Sequence, residues 1–183
     1  DGMNTVCRGL GLPIISGNVR FHNETKGVNI TSTPSTGLVG LRDDIEKIPP
    51  SRFTQTGDAI YLLRIPGVLT GGYLQERVKR KIGFCGQIKD EELLKFVGVT
   101  RKLSRHLAVR GTRVVGKFGL AYTLARMCLG STSVSTQASA VGAKVDDKSW
   151  KMVRRSATPE SLFYEHLYEV IFVLDKELEL KFI

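Results

Sequence analysis

Residues 11–25 read Gly11-Leu12-Pro13-Ile14-Ile15-Ser16-Gly17-Asn18-Val19-Arg20-Phe21-His22-Asn23-Glu24-Thr25, and this stretch decides how the chain is read. A Gly-Asn pair after a short apolar run marks a turn, because both residues serve turns well. The same pair also suits a phosphate site. Gly17 has no Cβ, so a phosphate oxygen can approach its backbone amide. Asn18 carries a neutral carbonyl oxygen of the kind Mg²⁺ accepts beside carboxylates and phosphates. Asn23 and Glu24 can hydrogen-bond a ribose or a second loop. Local chemistry leaves both readings open, turn and ligand site.

Toward the N-terminus, residues 3–9 read as the end of a helix closed by Gly9 and Gly11, with Pro13 beyond as a further stop. On the other side, Val19 and Phe21 alternate with Arg20 and His22, which predicts a half-buried strand. Residues 23–27 read as a turn, 28–34 as irregular and polar, and 36–41 as a strand interrupted by glycine. Residues 42–50 are charged and end in Ile48-Pro49-Pro50, the signature of a boundary.

Beyond that boundary, Gly57-Asp58 opens a strand over 59–63, and 67–72 is loop. Asp90, Glu91 and Glu92 lie where a helix macrodipole favours acids. The apolar stripe of that helix is Phe96, Val99, Leu103 and Leu107. A second helix spans 119–129, with Leu120, Leu124 and Met127 or Cys128 on one face and Gly130 as its stop. Residues 131–142 are rich in Ser, Thr and Ala and take no assignment. A short helix is expected over 161–166 and a continuous apolar strand over 170–174. Leu178, Leu180 and Phe182 then alternate as an edge strand would. Mixed elements without regular βαβ alternation predict an α+β fold of the α/β-sandwich kind.

The chain has 183 residues, room for one ordinary domain and part of a second. With 42% hydrophobic and 25% charged residues it is a globular composition, which excludes a disordered chain. No apolar run approaches the roughly 20 residues of a bilayer crossing. The start, Asp1-Gly2-Met3-Asn4, has neither the basic nor the apolar region of a signal peptide. A soluble, cytoplasmic protein is expected, and a chain beginning at Asp1 reads as a fragment or a processed piece. Cys7, Cys85 and Cys128 are far apart, so they read as small semi-buried thiols rather than a zinc site or disulfide framework. His22, His106 and His166 show no metal-ligand spacing.

The formal net charge is +9. The cations cluster at Arg77, Lys79, Arg80 and Lys81; at Arg101, Lys102 and Arg105; at Arg110, Arg113 and Lys117; and at Lys151, Arg154 and Arg155. Such a surface attracts nucleic acid, phosphorylated small molecules or an acidic partner, or is simply a solvated face. Nucleic acid is not the expected partner, because no recognition motif accompanies the charge.

Residues 11–25, followed by Thr33-Pro34 and Gly37-Leu38-Val39-Gly40, closely resemble a segment of the formylglycinamide ribonucleotide amidotransferase family, in its synthetase subunit. That family reads Gly-x-Pro-x-x-Ser-Gly-Asn-Val-Ser-x-Tyr-Asn-Glu, then Thr-Pro and a glycine-flanked strand. Weaker echoes follow at Gly57-Asp58-Ala59-Ile60-Tyr61, Gly71-Gly72-Tyr73-Leu74, Gly119-Leu120-Ala121 and Leu162-Phe163-Tyr164-Glu165. The resemblance implies a domain plan shared with aminoimidazole ribonucleotide synthetase. Residues 1–44 would be the last helix and strands of an N-type domain that binds ATP and substrate, and 45–183 a C-type α/β domain.

The resemblance also implies roles. Gly17 would touch ATP, Asn18 would contribute to a magnesium ion, and Arg20 would occupy the place of the serine that contacts formylglycinamide ribonucleotide. The implied cofactors are ATP and Mg²⁺. The implied partners are the upstream domains of the synthetase subunit and a glutaminase subunit or domain. No catalytic residue falls within this chain, so in isolation it is expected to be inactive. The chain departs from the family at 113–119, where the pattern His-Asp-x-Ser-Asp-Gly-Gly is replaced by Arg113-Val114-Val115-Gly116-Lys117-Phe118-Gly119. Two acids become Val114 and Lys117. That reversal motivates the alternative of a non-catalytic relative serving as a structural or interaction module.

Overall fold

A computed structural model describes residues 2–19, 23–31, 33–65, 88–129, 141–153 and 162–179. Its backbone falls into two compact units, Asp1–Ile45 and Glu46–Ile183. The elements are mixed, helices with two small antiparallel sheets, which is the α+β composition expected. Among the described residues no helix is long and apolar enough to cross a membrane.

The first unit begins with helix α1, Gly2–Leu10. It closes as expected, on Gly11 at φ +65. Leu12 N donates to Cys7 O at 2.8 Å and Gly11 N to Arg8 O at 3.2 Å, the paired bonds of a Schellman stop. Strands β1, Glu24–Thr25, and β2, Val28–Asn29, form a hairpin. Lys26 at φ 52 and Gly27 at φ 77 supply the two left-handed positions that a two-residue hairpin turn requires. The turn expected over 23–27 narrows to Lys26-Gly27, and Glu24, Thr25, Val28 and Asn29 are paired strand residues rather than turn or irregular. Residues 36–41 form no strand, contrary to expectation. An extended segment becomes a strand only with a ladder partner, and none stands beside it among the described residues. Val19 is likewise irregular, and Phe21 and His22 of the strand predicted there lie outside the described residues.

The second unit is built on a three-stranded sheet in the order β3-β5-β4, with β3 Ala59–Arg64, β4 Val109–Val114 and β5 Glu169–Leu174. Every residue of β5 is buried. One of its faces, Ile171 and Val173, packs with Phe53, Leu120, Leu124 and Met127, and Trp150 and Val153 join from the side. The other face, Val170, Phe172 and Leu174, packs with Leu63, Phe96 and Leu103. A central strand covered on both faces has no polar side to show, and this accounts for the uninterrupted apolar run Val170-Ile171-Phe172-Val173-Leu174.

The covering helices are α2, Asp90–Leu103, on the second face and α3, Gly119–Leu129, with α4, Asp147–Val153, on the first. Helix α2 carries its three acids in the first turn. It ends at Leu103 and caps on Ser104, so Leu107 falls beyond the helix and is 79% exposed. Helix α3 has the predicted bounds and buries Leu120, Leu124 and Met127. Its expected stop, Gly130, lies outside the described residues.

Two elements of the second unit, β4 and α4, are not expected from the sequence, and one differs in kind. Residues Lys176–Glu179 form a short helix, α5, in place of the edge strand expected through Leu178. Asp175 Oδ1 accepts from Glu177 N at 2.9 Å, so a local side-chain bond turns the chain as soon as β5 ends. Leu180 and Phe182 lie outside the described residues, as do the loop at 67–72 and the cluster Arg77, Lys79, Arg80 and Lys81. Of the expected helix at 161–166 only one tight turn at 162–163 is described.

Candidate functional site

Gly17 and Asn18 stand side by side in the exposed, irregular stretch 12–19 of the first unit. Arg20, the third residue of the expected site, lies outside the described residues. A Cβ added at Gly17 would meet nothing within 4 Å. Neither close packing nor a left-handed backbone demands a glycine there. The backbone of Gly17 is thus open to an approaching group, and the Asn18 side chain is exposed beside it. One amide oxygen fills one position of an octahedral Mg²⁺ shell, whose other ligands are carboxylates, phosphates or water. Gly17 and Asn18 thus present an open backbone and one exposed amide oxygen.

The rest of the first unit has little core. None of its described residues is buried, and Ile15 is 83%, Val39 83% and Leu41 95% exposed.

The second unit holds a built polar cluster that spacing alone does not reveal. Arg110 on β4 donates through Nη1 to Gln55 Oε1 and through Nη2 to Asp175 Oδ2, and its Nη1 lies 3.5 Å from Asp58 Oδ1. Asp58 immediately precedes β3, Asp175 immediately follows β5, and all four residues line a cavity of about 300 Å³. Burial pushes the Asp58 carboxyl above its ordinary value of 3.8, the Arg110 guanidinium pulls it back, and the Asp175 charge adds to the rise. Beside this cluster a larger groove of about 740 Å³ has an apolar wall of Leu62, Leu124, Trp150 and Val153.

One of the expected basic clusters is partly absorbed into structure. Arg113 Nη1 donates to Ser51 O at 3.0 Å, and Thr112 N to Pro50 O at 3.0 Å, so 50–53 runs along β4. Gly111 permits that approach, since a Cβ there would stand 2.9 Å from Arg52 O. Lys117 sits at the turn before α3 with Nζ 5.4 Å from the Phe118 ring. An acid reaches the same helix start from elsewhere: Glu165 Oε1 accepts from Phe118 N at 3.1 Å. Val114 ends β4 and is 68% exposed. The described cysteines, Cys7 and Cys128, are half-buried and not disulfide-bonded, and Cys85 lies outside the described residues.

No family model matches the chain. Curated proteins do. The chain is 34% identical over 129 residues to phosphoribosylformylglycinamidine synthase subunit PurL of a Nitratiruptor species, covering 69% of this chain and 18% of that protein. The same subunit of Helicobacter hepaticus is 34% identical over 134 residues, 72% of this chain and 18% of that protein. That of Campylobacter lari is 31% identical over 132 residues, again 18% of its length. The chain therefore spans under a fifth of the relatives it matches. These matches cover about 70% of the chain, which belongs to the phosphoribosylformylglycinamidine synthase subunit PurL family.

Proposed function

We propose that the chain is a part of an ATP-dependent ligase of de novo purine biosynthesis, supplying Gly17 and Asn18 to a composite Mg-ATP site. The parent enzyme would convert formylglycinamide ribonucleotide to formylglycinamidine ribonucleotide with ammonia from a glutaminase partner, in the cytoplasm. The observation that carries this reading is the match to PurL subunits together with the Ser16-Gly17-Asn18 run. Residues 1–44 would then complete an N-type domain, and 45–183 would be a C-type domain of the aminoimidazole ribonucleotide synthetase kind. The exposed apolar residues of the first unit support this, because an incomplete domain leaves its inner face uncovered.

Within that reading each residue has a limited task. Gly17 lets a phosphate come to its backbone, with no side chain to displace it. Asn18 offers one neutral oxygen to the metal. Arg20 can grip the substrate's phosphate through two parallel N–H bonds. Bound Mg²⁺ would neutralise charge on the transferred phosphoryl group, and positioning and neutralisation are most of what such transfer needs. No group of the chain is assigned a proton-transfer role.

The test is calorimetric titration with Mg-ATP of this chain and of the intact parent protein. The parent binds, Gly17→Val and Asn18→Ala each weaken it about tenfold or more, and the isolated chain shows no ATP turnover. Turnover by the isolated chain, or full affinity in both parent variants, rules the reading out.

One observation favours a second reading, a non-catalytic relative. Lys117 holds a positive charge over Phe118 where the family places an acid. Under this reading the parent protein binds no nucleotide at all.

A further inference from the structure

Strand β3 has an open outer edge. The sheet runs β3-β5-β4, and among the described residues no strand lies beyond β3. The opposite edge is covered, because the backbone of 50–53 runs along β4, with Thr112 N donating to Pro50 O at 3.0 Å. Ile65 N donates to Tyr168 O at 3.3 Å, which continues the β3–β5 register as a hydrogen-bonded pair. Such pairs alternate along an antiparallel ladder. Tyr61 and Leu63 therefore bond to β5, while Ile60, Leu62 and Arg64 turn their N–H and C=O groups outward. No residue of β3 is buried, whereas every residue of β5 is. The usual guards of an edge are missing: β3 has no proline, no lysine and no bulge in its register with β5. Its one charged side chain, Arg64, is turned toward the end of α4, where Nη1 donates to Val153 O at 3.2 Å.

The groove of about 740 Å³ lies along this edge. A cavity on one face of a strand touches every second residue, because successive side chains point to opposite faces. This groove touches Ala59, Ile60, Tyr61 and Leu62 in succession, so it borders the edge itself. Its far wall is α4, through Trp150, Met152 and Val153. An occupant that meets the outward N–H and C=O groups is itself extended backbone. Its side chains toward α4 are apolar, while those beside Tyr61, which is 39% exposed, can be polar. A few backbone bonds of modest net worth do not outweigh the cost of joining two separate molecules. A strand tethered to the same polypeptide is held at high effective concentration and escapes most of that cost. The relatives leave ample chain to supply one, since this chain spans 18% of the Nitratiruptor subunit. We propose that the outer edge of β3 pairs with an extended segment of the parent polypeptide from outside residues 1–183, whose alternate apolar side chains fill the groove against α4. The proposal rests on the reading of this chain as part of a longer protein.

The test is amide hydrogen exchange, resolved to single residues, on this chain and on the intact parent protein. In this chain the amides of Ile60 and Leu62 should exchange fast and those of Tyr61 and Leu63 slowly. In the parent, Ile60 and Leu62 should slow about tenfold or more, whatever the protein concentration. Unchanged rates in the parent overturn the proposal. So does protection already present in this chain; if it grows with concentration, the partner is a second copy. A body that covers the edge without bonding to it is told apart by Leu62→Pro and Leu62→Ala. Both lose the Leu62 contacts, and only the first loses the outward N–H. Leu62→Pro should lower the melting temperature more than Leu62→Ala, by a margin larger in the parent than in this chain. Equal margins overturn the proposal, and should Leu62→Pro fail to fold, the exchange rates decide. Exchange at these amides is measured without Mg-ATP, so failure of the nucleotide reading and failure of this one are seen separately.

Discussion

Gly119 lies under the Tyr164 carbonyl so closely that a Cβ on it would stand 2.5 Å from the Tyr164 oxygen. The same Cβ would lie 2.7 Å from Phe163 C and 2.8 Å from Leu162 O. All three atoms are backbone, so no side chain can swing aside. Gly119 also has φ +74, a conformation that costs residues with a Cβ roughly 1–2 kcal/mol. Gly119→Ala should therefore destabilise the chain by about 2–4 kcal/mol, strain and displacement together. Gly57→Ala provides the control. It has φ +94 with nothing within 4 Å of an added Cβ, so only the strain remains. Urea unfolding of the two variants should separate them in that order.

Arg110 ties the start of β3, the body of β4 and the end of β5 together. Arg110→Met keeps much of the side chain's volume while leaving Asp58 and Asp175 close together without their counter-charge. The Arg110 side chain is 30% exposed, which places the cost between that of a surface pair and a buried one, about 2–3 kcal/mol. Adding Asp58→Asn to that variant should return part of the loss, since it removes one of the two stranded charges. A double-mutant cycle in guanidinium chloride measures both numbers.

Asp58 sets a pH dependence of unusual sign for a carboxyl. Its pKa in the folded chain is raised above 3.8 by burial, so the folded state holds this proton more tightly than the unfolded state. The contribution is fully present below the unfolded pKa and is lost as pH rises through the folded pKa. Asp58→Asn removes the titration. The stability of Asp58→Asn relative to the unaltered chain should therefore increase as pH rises through that window. Denaturation midpoints measured from pH 3 to pH 7 check the slope.

Strand β5 and helix α3 are legible in the sequence because their cause is local. Burial on both faces writes an apolar run into 170–174, and one buried face writes Leu120, Leu124 and Met127 into α3 at helical spacing. Strand β4 is hidden because Arg110, Gly111 and Arg113 break any apolar alternation. Each is there for a partner distant in sequence: Arg110 for Gln55, Asp58 and Asp175, Gly111 for the passing backbone of Arg52, and Arg113 for Ser51. The same distance hides the polar cavity, whose Arg110–Asp175 pair is 65 residues apart. Gly17 and Asn18 are legible by resemblance rather than by geometry. The partner groups of a composite site leave no trace in the spacing of one fragment.

Helix α4 does carry a signal, in its cap. Asp146 Oδ1 accepts from Ser149 N at 2.9 Å and Oδ2 from the Ser149 hydroxyl at 2.9 Å, which satisfies a backbone N–H at the helix start. These bonds to the ionised form hold the Asp146 pKa below 3.8, the backbone bond from Ser149 contributing most. Its contribution is present above the unfolded pKa and is lost as pH falls through the folded one. Asp146→Ala removes the cap at every pH and should fray α4. Asp146→Asn keeps an acceptor for Ser149 N and should lose only the acid dependence. Trp150, the single tryptophan, lies on α4 and packs against the core cluster that holds Leu124, so its fluorescence reports the helix directly. The emission of Asp146→Ala should be red-shifted already at pH 7. That of the unaltered chain should shift only in acid, and that of Asp146→Asn should show no local step below pH 4.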